Sequence, residues 1–445
     1  MSPRFGLDFG TSNTSLAVWD GAKSEVLPID PLAGVAMPTV LYVRRDGSSS
    51  VGRTAIEGYL ADNRTRGPVK REYLPLGFKM ISSNPFQKPV DAVILTDVAS
   101  PGRMFQALKS FLGDELDVRT NVFGEAKGLE QLIAVVLAHV RDRANELTGT
   151  APEEITIGRP VEYVGGPAAE ARAVARMRAA AELAGFREVR FVYEPVGAAH
   201  SADVTRGLSL VFDFGGGTLD LAVVSRDGAE IHVLATAGRD IGGDRLTERL
   251  IDDTVAPRLG SRASWGPKRL QLPAFIVNAL HDWHALSALN EKPLLEALDD
   301  LVRAGAPRRE VEALKDAISL QLGYEIFMAA DMTKCELSSV ATAILTYHHA
   351  SVDVDARLTR GRLETLIAPL LLDTEALLDS VLAKAGVAAH DVSEVVTTGG
   401  SSAIPAFRAL LGRHFPRSRV RDAAAFTSVA AGLAMPGAQE AVVAR

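Results

Sequence analysis

Short runs of alternating apolar and polar residues are interleaved along this chain with longer runs whose apolar residues recur at helical spacing. RFGLDFG and TSLAVWDG predict two strands around a Gly-Thr-Ser-Asn turn, and TVLYVRRDGSSSVGR predicts a hairpin that turns at Asp46 and Gly47. LEQLIAVVLAHVRDRANELTG predicts a helix that ends at Gly149. The stretch 64–101 is rich in proline, glycine and charge, and we predict that it is irregular. The pattern as a whole favours an α/β fold.

After the first long helix the chain again predicts strands separated by a helix, and beyond them the spacing of apolar residues becomes helical. EEITIGRPV and EVRFVYEP predict strands on either side of a helix with Pro167 at its start and Gly185 at its end. From about 244 to 339 the apolar spacing is almost wholly helical, and strand signals resume at ATAILTYHHA. We interpret this helical stretch as an insertion between two halves of one α/β domain.

Composition narrows the class of protein. A chain of 445 residues is too long for one simple core, so two domains or more are expected. A net charge of −7 argues against nucleic acid as the main partner, because a phosphate backbone requires a basic surface. Cys335 is the only cysteine, which excludes an intrachain disulfide and favours a reducing compartment. Without a signal-peptide pattern or an apolar run near the ~20 residues that span a bilayer, we expect a cytoplasmic protein with no membrane contact.

Two stretches about half a chain apart are near copies of each other. FGLDFGTSNTSLAV, residues 5–18, aligns with LVFDFGGGTLDLAV, residues 210–223, at an offset of 205, with six identities in fourteen positions. Two ordinary hairpins that match by chance are one interpretation. The other is a duplicated α/β protein with two facing lobes, each of which presents one hairpin to a ligand in a shared cleft. A protein kinase, which also carries Asp-Phe-Gly, is excluded because no His-Arg-Asp loop precedes it.

The residue types of the two turns favour a phosphate ligand. Turns 10–13 and 215–218 have little side-chain bulk, so backbone N–H groups can approach phosphate oxygens closely. Asp8 and Asp213 precede the turns and would repel phosphate unless a cation lies between them, and Mg²⁺ held through water supplies that charge. A third glycine turn, 399–402, stands between a predicted strand and a predicted helix and would lie under a nucleoside.

These motifs resemble those of a known family. Segments 8–13, 213–220 and 399–405 are similar to the two phosphate motifs and the adenosine motif of the actin-like ATPase superfamily. YEPVGAAHSA, ALKSFLGD, ADMTKCELSS and GRDIGGDRLTERLI resemble segments of the DnaK-type heat-shock protein 70 chaperones, above all the short YegD-like branch without a peptide-binding domain. The resemblance implies an α/β, duplicated actin-like ATPase (ribonuclease H-like) fold with two lobes around a nucleotide cleft. The lobes would be 1–200 and 201–445, with a helical insertion at about 244–337 in the second.

The resemblance also implies roles for single residues. Lys109 would hold the γ-phosphate and orient the attacking water, and Glu194 and Asp220 would position magnesium waters or the nucleophile. Asp8 and Asp213 would bind Mg²⁺ through water, and Asp213 would also serve catalysis with Thr218. The implied nucleotide-binding residues are Gly10, Thr11, Ser12, Asn13, Gly215, Gly216, Gly217, Thr218, Gly242, Gly243, Lys334, Ser338, Gly399, Gly400 and Ser401.

The base and ribose region departs from the family pattern. Lys334 and Ser338 would contact the ribose or base, but the two arginines that usually enclose adenine are Cys335 and Ala403 here, and a usual aspartate is Phe426. Each lost cation–π contact costs about 1 kcal/mol, so the resemblance leaves adenine selectivity open. The interdomain linker and peptide-binding β-sandwich of the family are not part of the resemblance, so it does not imply client binding in the usual manner.

The implied function is that of an ATP-binding, slowly ATP-hydrolysing, chaperone-like protein that uses ATP or ADP with Mg²⁺. Nucleotide-dependent closure of its lobes would control a protein partner, such as a client or co-chaperone. A nucleotide-gated binding switch without chaperone activity, a small-molecule kinase and a filament-forming ATPase are the alternatives.

Two further sets of residues have alternative interpretations. Lys79 is a second candidate for the lysine that would hold the γ-phosphate, the role that the resemblance implies for Lys109. His348 and His349 have metal-compatible spacing but no third ligand near them in sequence, so we interpret them as structural or solvated.

Overall fold

Two mixed β-sheets flanked by helices form the frame of the computed structural model, which describes residues 3–65, 70–80, 90–97, 99–115, 119–160, 166–202, 204, 207–227, 230–423, 427–437 and 442–443. The strands are β1 (Arg4–Phe9), β2 (Asn13–Trp19), β3 (Ser24–Leu27), β4 (Met37–Pro38), β5 (Val40–Arg44), β6 (Ser49–Val51), β7 (Arg71–Met80), β8 (Val90–Asp97), β9 (Gly102–Gln106), β10 (Thr120–Val122), β11 (Glu125–Lys127), β12 (Glu154–Arg159), β13 (Glu188–Tyr193), β14 (Gly207–Phe214), β15 (Leu219–Asp227), β16 (Glu230–Arg239), β17 (Thr342–His349), β18 (Val352–Thr359), β19 (Val392–Thr398), β20 (Arg419–Asp422) and β21 (Val442–Val443). The helices are α1 (Gly52–Thr65), α2 (Leu129–Thr148), α3 (Gly166–Leu183), α4 (Glu194–Ser201), α5 (Gly243–Thr254), α6 (Ala274–Ala279), α7 (Trp283–Ala288), α8 (Lys292–Arg303), α9 (Arg308–Ser319), α10 (Gly323–Ser339), α11 (Arg360–Ala385), α12 (Pro405–His414) and α13 (Ser428–Ala434).

The two large sheets repeat one topology. The first has the strand order β13-β12-β1-β2-β3, and the second has the order β20-β19-β14-β15-β16-β21. In each sheet an antiparallel hairpin, β1-β2 or β14-β15, is extended by two parallel strands that return through helical crossovers. The hairpins that carry the repeated Asp-Phe-Gly sequence therefore occupy equivalent places, as a duplicated two-lobe fold requires.

Each sheet has its own hydrophobic core. Leu7 and Phe9 of β1 are fully buried in the first core, and Phe212 and Phe214 of β14 are fully buried in the second. The central strands are apolar on both faces because helices cover both sides of the sheet. Rigid central strands of this kind hold the turns at their ends in fixed positions.

Local signals explain several helix boundaries. Helix α2 ends where Gly149 adopts a left-handed conformation with a φ of 73°, as predicted. The helix expected to follow residue 243 is α5 and then a short 3-10 turn at Ala256–Leu259, because Pro257 lacks an amide donor. The long helical pattern after residue 307 divides into α9 and α10 around Gln321, whose φ is 57°.

The prediction that 64–101 is irregular is wrong over the described part of that stretch. β7 and β8 pair antiparallel, and their register shifts between Pro75 and Lys79. A bulge at this point accommodates a proline that has no amide for the ladder, which is why composition misled the prediction. The side chain of Lys79 and the whole of Phe426 lie outside the described residues. Among the described residues, no helix has the length and apolar character needed to cross a bilayer.

Helices α4 and α13 cross where the two sheets approach each other. Small residues make this crossing close: a methyl group on Gly432 would lie 1.8 Å from the Gly197 carbonyl oxygen. A methyl group on Gly197 would in turn lie 2.8 Å from the Val429 carbonyl oxygen. The backbones touch directly, so this crossing fixes the spacing of the lobes at the base of the cleft.

Gly432→Ala is therefore expected to destabilise the protein. The added methyl group cannot be accommodated without separating α4 from α13, and overpacking of this kind costs about 1–3 kcal/mol. Gly412→Ala on α12 is the matched control, since nothing lies within 4 Å of its added methyl group. The control should stabilise the protein by about 0.5–1 kcal/mol through helix propensity. Urea unfolding of both variants checks this, and equal effects of the two substitutions would contradict the close contact.

Candidate functional site

A cavity of about 750 Å³ opens between the two lobes, and both repeated turns line it. A methyl group on Gly216 would lie 2.8 Å from Ser12 Oγ, so the two turns face each other at contact distance. Fourteen of the predicted residues line this cavity: Asp8, Gly10, Thr11, Ser12, Asn13, Lys109, Glu194, Asp213, Gly215, Gly216, Gly217, Thr218, Asp220 and Gly399.

The two turns have the same backbone geometry. The Gly10 amide donates to the Asn13 carbonyl at 2.9 Å, and the Gly215 amide donates to the Thr218 carbonyl at 3.0 Å. A methyl group on Gly10 would lie 2.3 Å from the Asn13 carbonyl oxygen, so this turn requires glycine. Two matched turns with little side-chain bulk can present backbone amides to phosphate oxygens from opposite walls of the cavity.

A lysine–glutamate pair lies beside the turns. Lys109 is on a short 3-10 turn, Leu108–Phe111, entered through Ala107 in a left-handed conformation. Its Nζ lies 2.6 Å from Oε1 of Glu194, the first residue of α4, and both side chains are about nine-tenths buried. The pair joins two segments 85 residues apart at the cavity wall. Burial strengthens this interaction relative to an exposed ion pair, because the local dielectric constant is lower.

Three partly buried carboxyls share the cavity with this pair. Burial, reinforced by the charge of Glu194, raises the pKa of Asp8 to about 7 and that of Asp220 to about 6, against the opposing effect of Lys109. Burial and the charge of Asp220 raise the pKa of Asp213 well above its ordinary value. Thr218 donates to Asp220 at 2.8 Å, which partly offsets the rise at Asp220. The ionised forms of these three acids are therefore disfavoured at this end of the cavity.

The unliganded protein is expected to lose stability as pH rises from about 4 to about 7, between the unfolded-state and folded-state pKa values of Asp8 and Asp220. The folded state holds protons on Asp8 and Asp220 up to pH values of about 7 and 6, whereas the unfolded chain releases them near 3.8. A raised pKa therefore contributes stability at low pH that is lost as pH rises through the folded-state value. Melting temperatures measured across this range check the slope, and Asp8→Asn should flatten it. A slope unchanged in Asp8→Asn would contradict the assignment.

The remaining predicted residues lie outside the cavity wall. Gly242 and Gly243 pack behind the second turn, and the Gly243 amide donates to the Gly215 carbonyl at 3.0 Å. Ser401 Oγ donates to the same carbonyl at 2.9 Å. Lys334 is buried beneath them. The structure thus divides the predicted set into residues that face the cavity and the residues behind it, namely Gly242, Gly243, Lys334, Ser338, Gly400 and Ser401.

Sequence reasoning missed several wall residues. Thr398 and Ser428, whose hydroxyls lie 2.7 Å apart, line the cavity with Arg239 and Asp114. Arg239 pairs in register with Leu219, the residue after the second turn, and this strand pairing, which the sequence alone does not show, brings it to the cavity. The other missed residues in the wall are Ser110, Gly113, Pro160, Gly238, Asp240 and Val429.

The hairpin β17-β18 gives His348 two potential ligand partners that we did not identify from the sequence. Cross-strand pairing brings Asp353 and Asp355 beside His348, with ligand atoms within 4.8 Å of one another. These partners are five and seven residues away in sequence but lie on the same face of the hairpin. All three side chains are exposed, and Arg309 binds Asp353 at 2.8 Å, so we keep the interpretation of His348 as a solvated residue.

Comparison with known proteins identifies the family. A family model described as Hsp70 protein matches residues 4–258 and 306–441, which is most of the chain. The chain belongs to the Hsp70 protein family. The actin-like ATPase fold that the motifs implied is therefore confirmed. Stretch 259–305, which carries α6, α7 and α8, lies between the two matched parts of this Hsp70 protein.

A curated relative at low sequence identity agrees with this family assignment. Chaperone protein DnaK of Cenarchaeum symbiosum (strain A) is 23% identical over 422 residues, which cover 92% of this chain and 50% of that protein. The chain thus spans about half the length of this relative. Membership of the Hsp70 family supports an ATP-binding, chaperone-like function at the level of the family.

Proposed function

We propose that this Hsp70 protein binds ATP and ADP with Mg²⁺ in the cavity between its lobes, hydrolyses ATP slowly, and controls a protein partner by closing the lobes around the nucleotide. The observation that carries the proposal is the pair of matched glycine turns, 10–13 and 215–218, in contact across one cavity. Each turn offers amides to phosphate from its own lobe, so a bound triphosphate would join the lobes. Lobe boundaries at 1–200 and 201–445, with the insertion at about 244–337, are part of the proposal.

The wall residues fit phosphoryl transfer. Lys109 would neutralise charge on the γ-phosphate and orient the attacking water, and Glu194 would hold the Lys109 ammonium in place at 2.6 Å. Thr218 and Asp220, joined by a 2.8 Å hydrogen bond, would position the water on the other side. Reactions of this type are catalysed mainly by positioning and charge neutralisation, which these side chains supply.

The carboxyls of the cavity also fit a divalent cation. Burial, followed by neighbouring carboxylates, raises the pKa values of Asp8, Asp213 and Asp220, so a cation bound between them would favour their ionised forms. Asp8 and Asp213 would hold Mg²⁺ through water, as this strongly hydrated ion prefers. When bound, Mg²⁺ supplies charge neutralisation on the phosphate oxygens.

Aromatic and ionic contacts also join α1 to helices α7 and α10 outside the residues that line the cavity. Tyr59 of α1 contacts Trp283 of α7 at a ring-centroid distance of 5.9 Å, and Trp283 contacts Tyr324 of α10 at 5.1 Å. Arg64 forms an ion pair with Glu325 beside them. Closure of the lobes around a nucleotide would require these contacts to rearrange while each lobe stays intact.

Other parts of the proposal rest on the resemblance of the sequence. Assignment to the YegD-like branch and a cytoplasmic location are proposed on that basis. The partner is proposed to be a protein client or co-chaperone, because the relative's name describes that protein as a chaperone.

Two assays test the proposal together. Single-turnover release of inorganic phosphate from MgATP tests hydrolysis, and suppression of aggregation of a denatured model protein, compared with ATP and with ADP, tests the chaperone-like part. Slow phosphate release with nucleotide-dependent suppression supports the whole proposal. Hydrolysis without suppression would favour a nucleotide-gated switch. Turnover stimulated by an added metabolite would favour a small-molecule kinase, and ATP-dependent sedimentation would favour a filament.

A further inference from the structure

Two arginines of α3 bind the backbone of segment 111–114, which continues from the turn that carries Lys109. Arg172 donates twice to the Gly113 carbonyl, from Nε at 3.2 Å and from Nη2 at 3.0 Å. Nη1 of Arg176 donates to the other three carbonyls of the segment, those of Phe111, Leu112 and Asp114, at 3.3, 3.1 and 2.9 Å. Four consecutive carbonyl oxygens therefore face two guanidinium groups.

The second of these arginines is largely buried and has a carboxylate partner. The side chain of Arg176 is 14% exposed, and its Nε lies 3.3 Å from Oε1 of Glu130 on α2. Ala173 and Met177 of the same helix are buried in the first core, so α3 gives the arginines a rigid base. Hydrogen bonds from a charged donor are stronger than those between neutral groups. These bonds can therefore fix the backbone that they reach.

The backbone that carries Lys109 lacks the support of a regular helix. Its 3-10 turn extends only over Leu108–Phe111, and Ala107 before it has a φ of 51°, a left-handed conformation that a side chain disfavours. Strained backbone of this kind persists where surrounding contacts fix it. The same segment lines the cavity with Lys109, Ser110, Gly113 and Asp114. The bonds from α3 therefore constrain one wall of the cavity.

We propose that Arg172 and Arg176 are positioning residues, which hold the backbone of 108–114 so that Lys109 is directed at the γ-phosphate. The proposal rests on the proposed function, because Lys109 has this role only if ATP is hydrolysed in the cavity. Neither arginine is among the described residues that line the cavity, so each acts through the segment that it binds. Loss of either arginine should slow hydrolysis while the turns 10–13 and 215–218 continue to bind the phosphates.

Rates and affinities of Arg176→Met test this separation. Single-turnover phosphate release at saturating MgATP should be slower by roughly 10- to 100-fold, the cost of a misplaced catalytic group. The affinity for MgATP, measured by isothermal titration, should stay at the wild-type value. Arg178→Met is the matched control on the same helix, because Arg178 donates to the Val189 carbonyl of β13 at 2.8 Å and should change neither quantity.

A double-mutant cycle shows whether Arg176 acts through Lys109. In a protein that already carries Lys109→Met, adding Arg176→Met should slow hydrolysis no further, because residues that act as a unit are non-additive. A merely structural arginine would instead slow hydrolysis by the same factor in both backgrounds. That additive result, or a loss of MgATP affinity in place of rate, would overturn the proposal.

A second variant keeps the test decisive if Arg176→Met does not fold. Arg172→Met removes the two hydrogen bonds to Gly113 and leaves the pair of Arg176 with Glu130 intact. It should slow hydrolysis at unchanged affinity, and have no effect beside Lys109→Met. Either variant that folds and hydrolyses ATP like wild type would overturn the proposal alone. Wild type that hydrolyses no ATP would refute the proposed function and this proposal with it.

Discussion

Lys109→Met is expected to lower the rate of ATP hydrolysis by about 10³-fold, the largest effect that we predict for a single side chain. Lys109 is the lysine that lines the cavity beside both turns, and its ammonium is held 2.6 Å from Glu194. Methionine retains the length of the side chain but removes the charge that would stabilise the transferred phosphoryl group. Single-turnover phosphate release measures the loss, and the fluorescence of a nucleotide analogue reports whether binding is retained.

A double variant separates chemistry from folding in this experiment. Lys109→Met leaves the Glu194 carboxylate buried without this counter-ion, which is costly to stability. Adding Glu194→Gln removes the buried charge, so the double variant should regain stability. It should hydrolyse ATP no faster than Lys109→Met, since residues that act as a unit are non-additive. If the rate of Lys109→Met fell less than tenfold, or recovered with stability in the double variant, Lys109 would not be catalytic.

Asp213→Asn is expected to lower hydrolysis by about 10²–10³-fold and at the same time to stabilise the unliganded protein at about pH 8. Burial and the neighbouring Asp220 and Asp8 raise the pKa of Asp213, so its charged form is disfavoured in the folded state. Asparagine has the same shape without the charge, and it therefore removes the electrostatic cost together with the proposed magnesium contact. A substitution that lowers activity but raises stability indicates that the original charge is retained for function.

An exposed aspartate provides the control for this substitution. Asp46 lies in the turn between β5 and β6, where hydrogen bonds from Ser48 lower its pKa. Asp46→Asn should leave hydrolysis unchanged and should not raise the melting temperature. Thermal melts and phosphate release on both variants check the pair. If Asp213→Asn destabilised the protein while hydrolysis continued, the magnesium assignment would be wrong.

The duplication and its two turns could be predicted from sequence because their signals are local, whereas Lys109 and Glu194 followed only from the resemblance. A turn with an aspartate before it and glycines within it constrains its own backbone, so the two turns at 10–13 and 215–218 were visible as repeats. Glycine at 149 ended α2 for a similar reason, since a left-handed conformation at a helix end favours glycine. The repeat also indicated which segments meet across the cleft, because equivalent hairpins end at equivalent edges of their sheets.

The features that could not be predicted from sequence depend on contacts between distant segments of the chain. Burial of Lys334 arises because α10 docks on α5, and helical spacing alone cannot distinguish a buried lysine from a solvated one. The β7-β8 pair was missed because proline lacks the amide that a strand ladder needs, and Pro75 fits in β7 only because the register shifts there. Asp353 and Asp355 approach His348 only through cross-strand pairing. In each case tertiary structure overrides the local signal.

Isothermal titration with ATP, ADP and AMP, each with and without Mg²⁺, tests the central claim that two matched turns bind the phosphate chain of one nucleotide. The account predicts one ATP per chain, tighter binding of ATP and ADP with Mg²⁺ than without it, and AMP weaker by at least about 100-fold, because AMP lacks the phosphates that both turns would hold together. Equal affinity for AMP and ATP, or no binding of ATP with Mg²⁺, would contradict it.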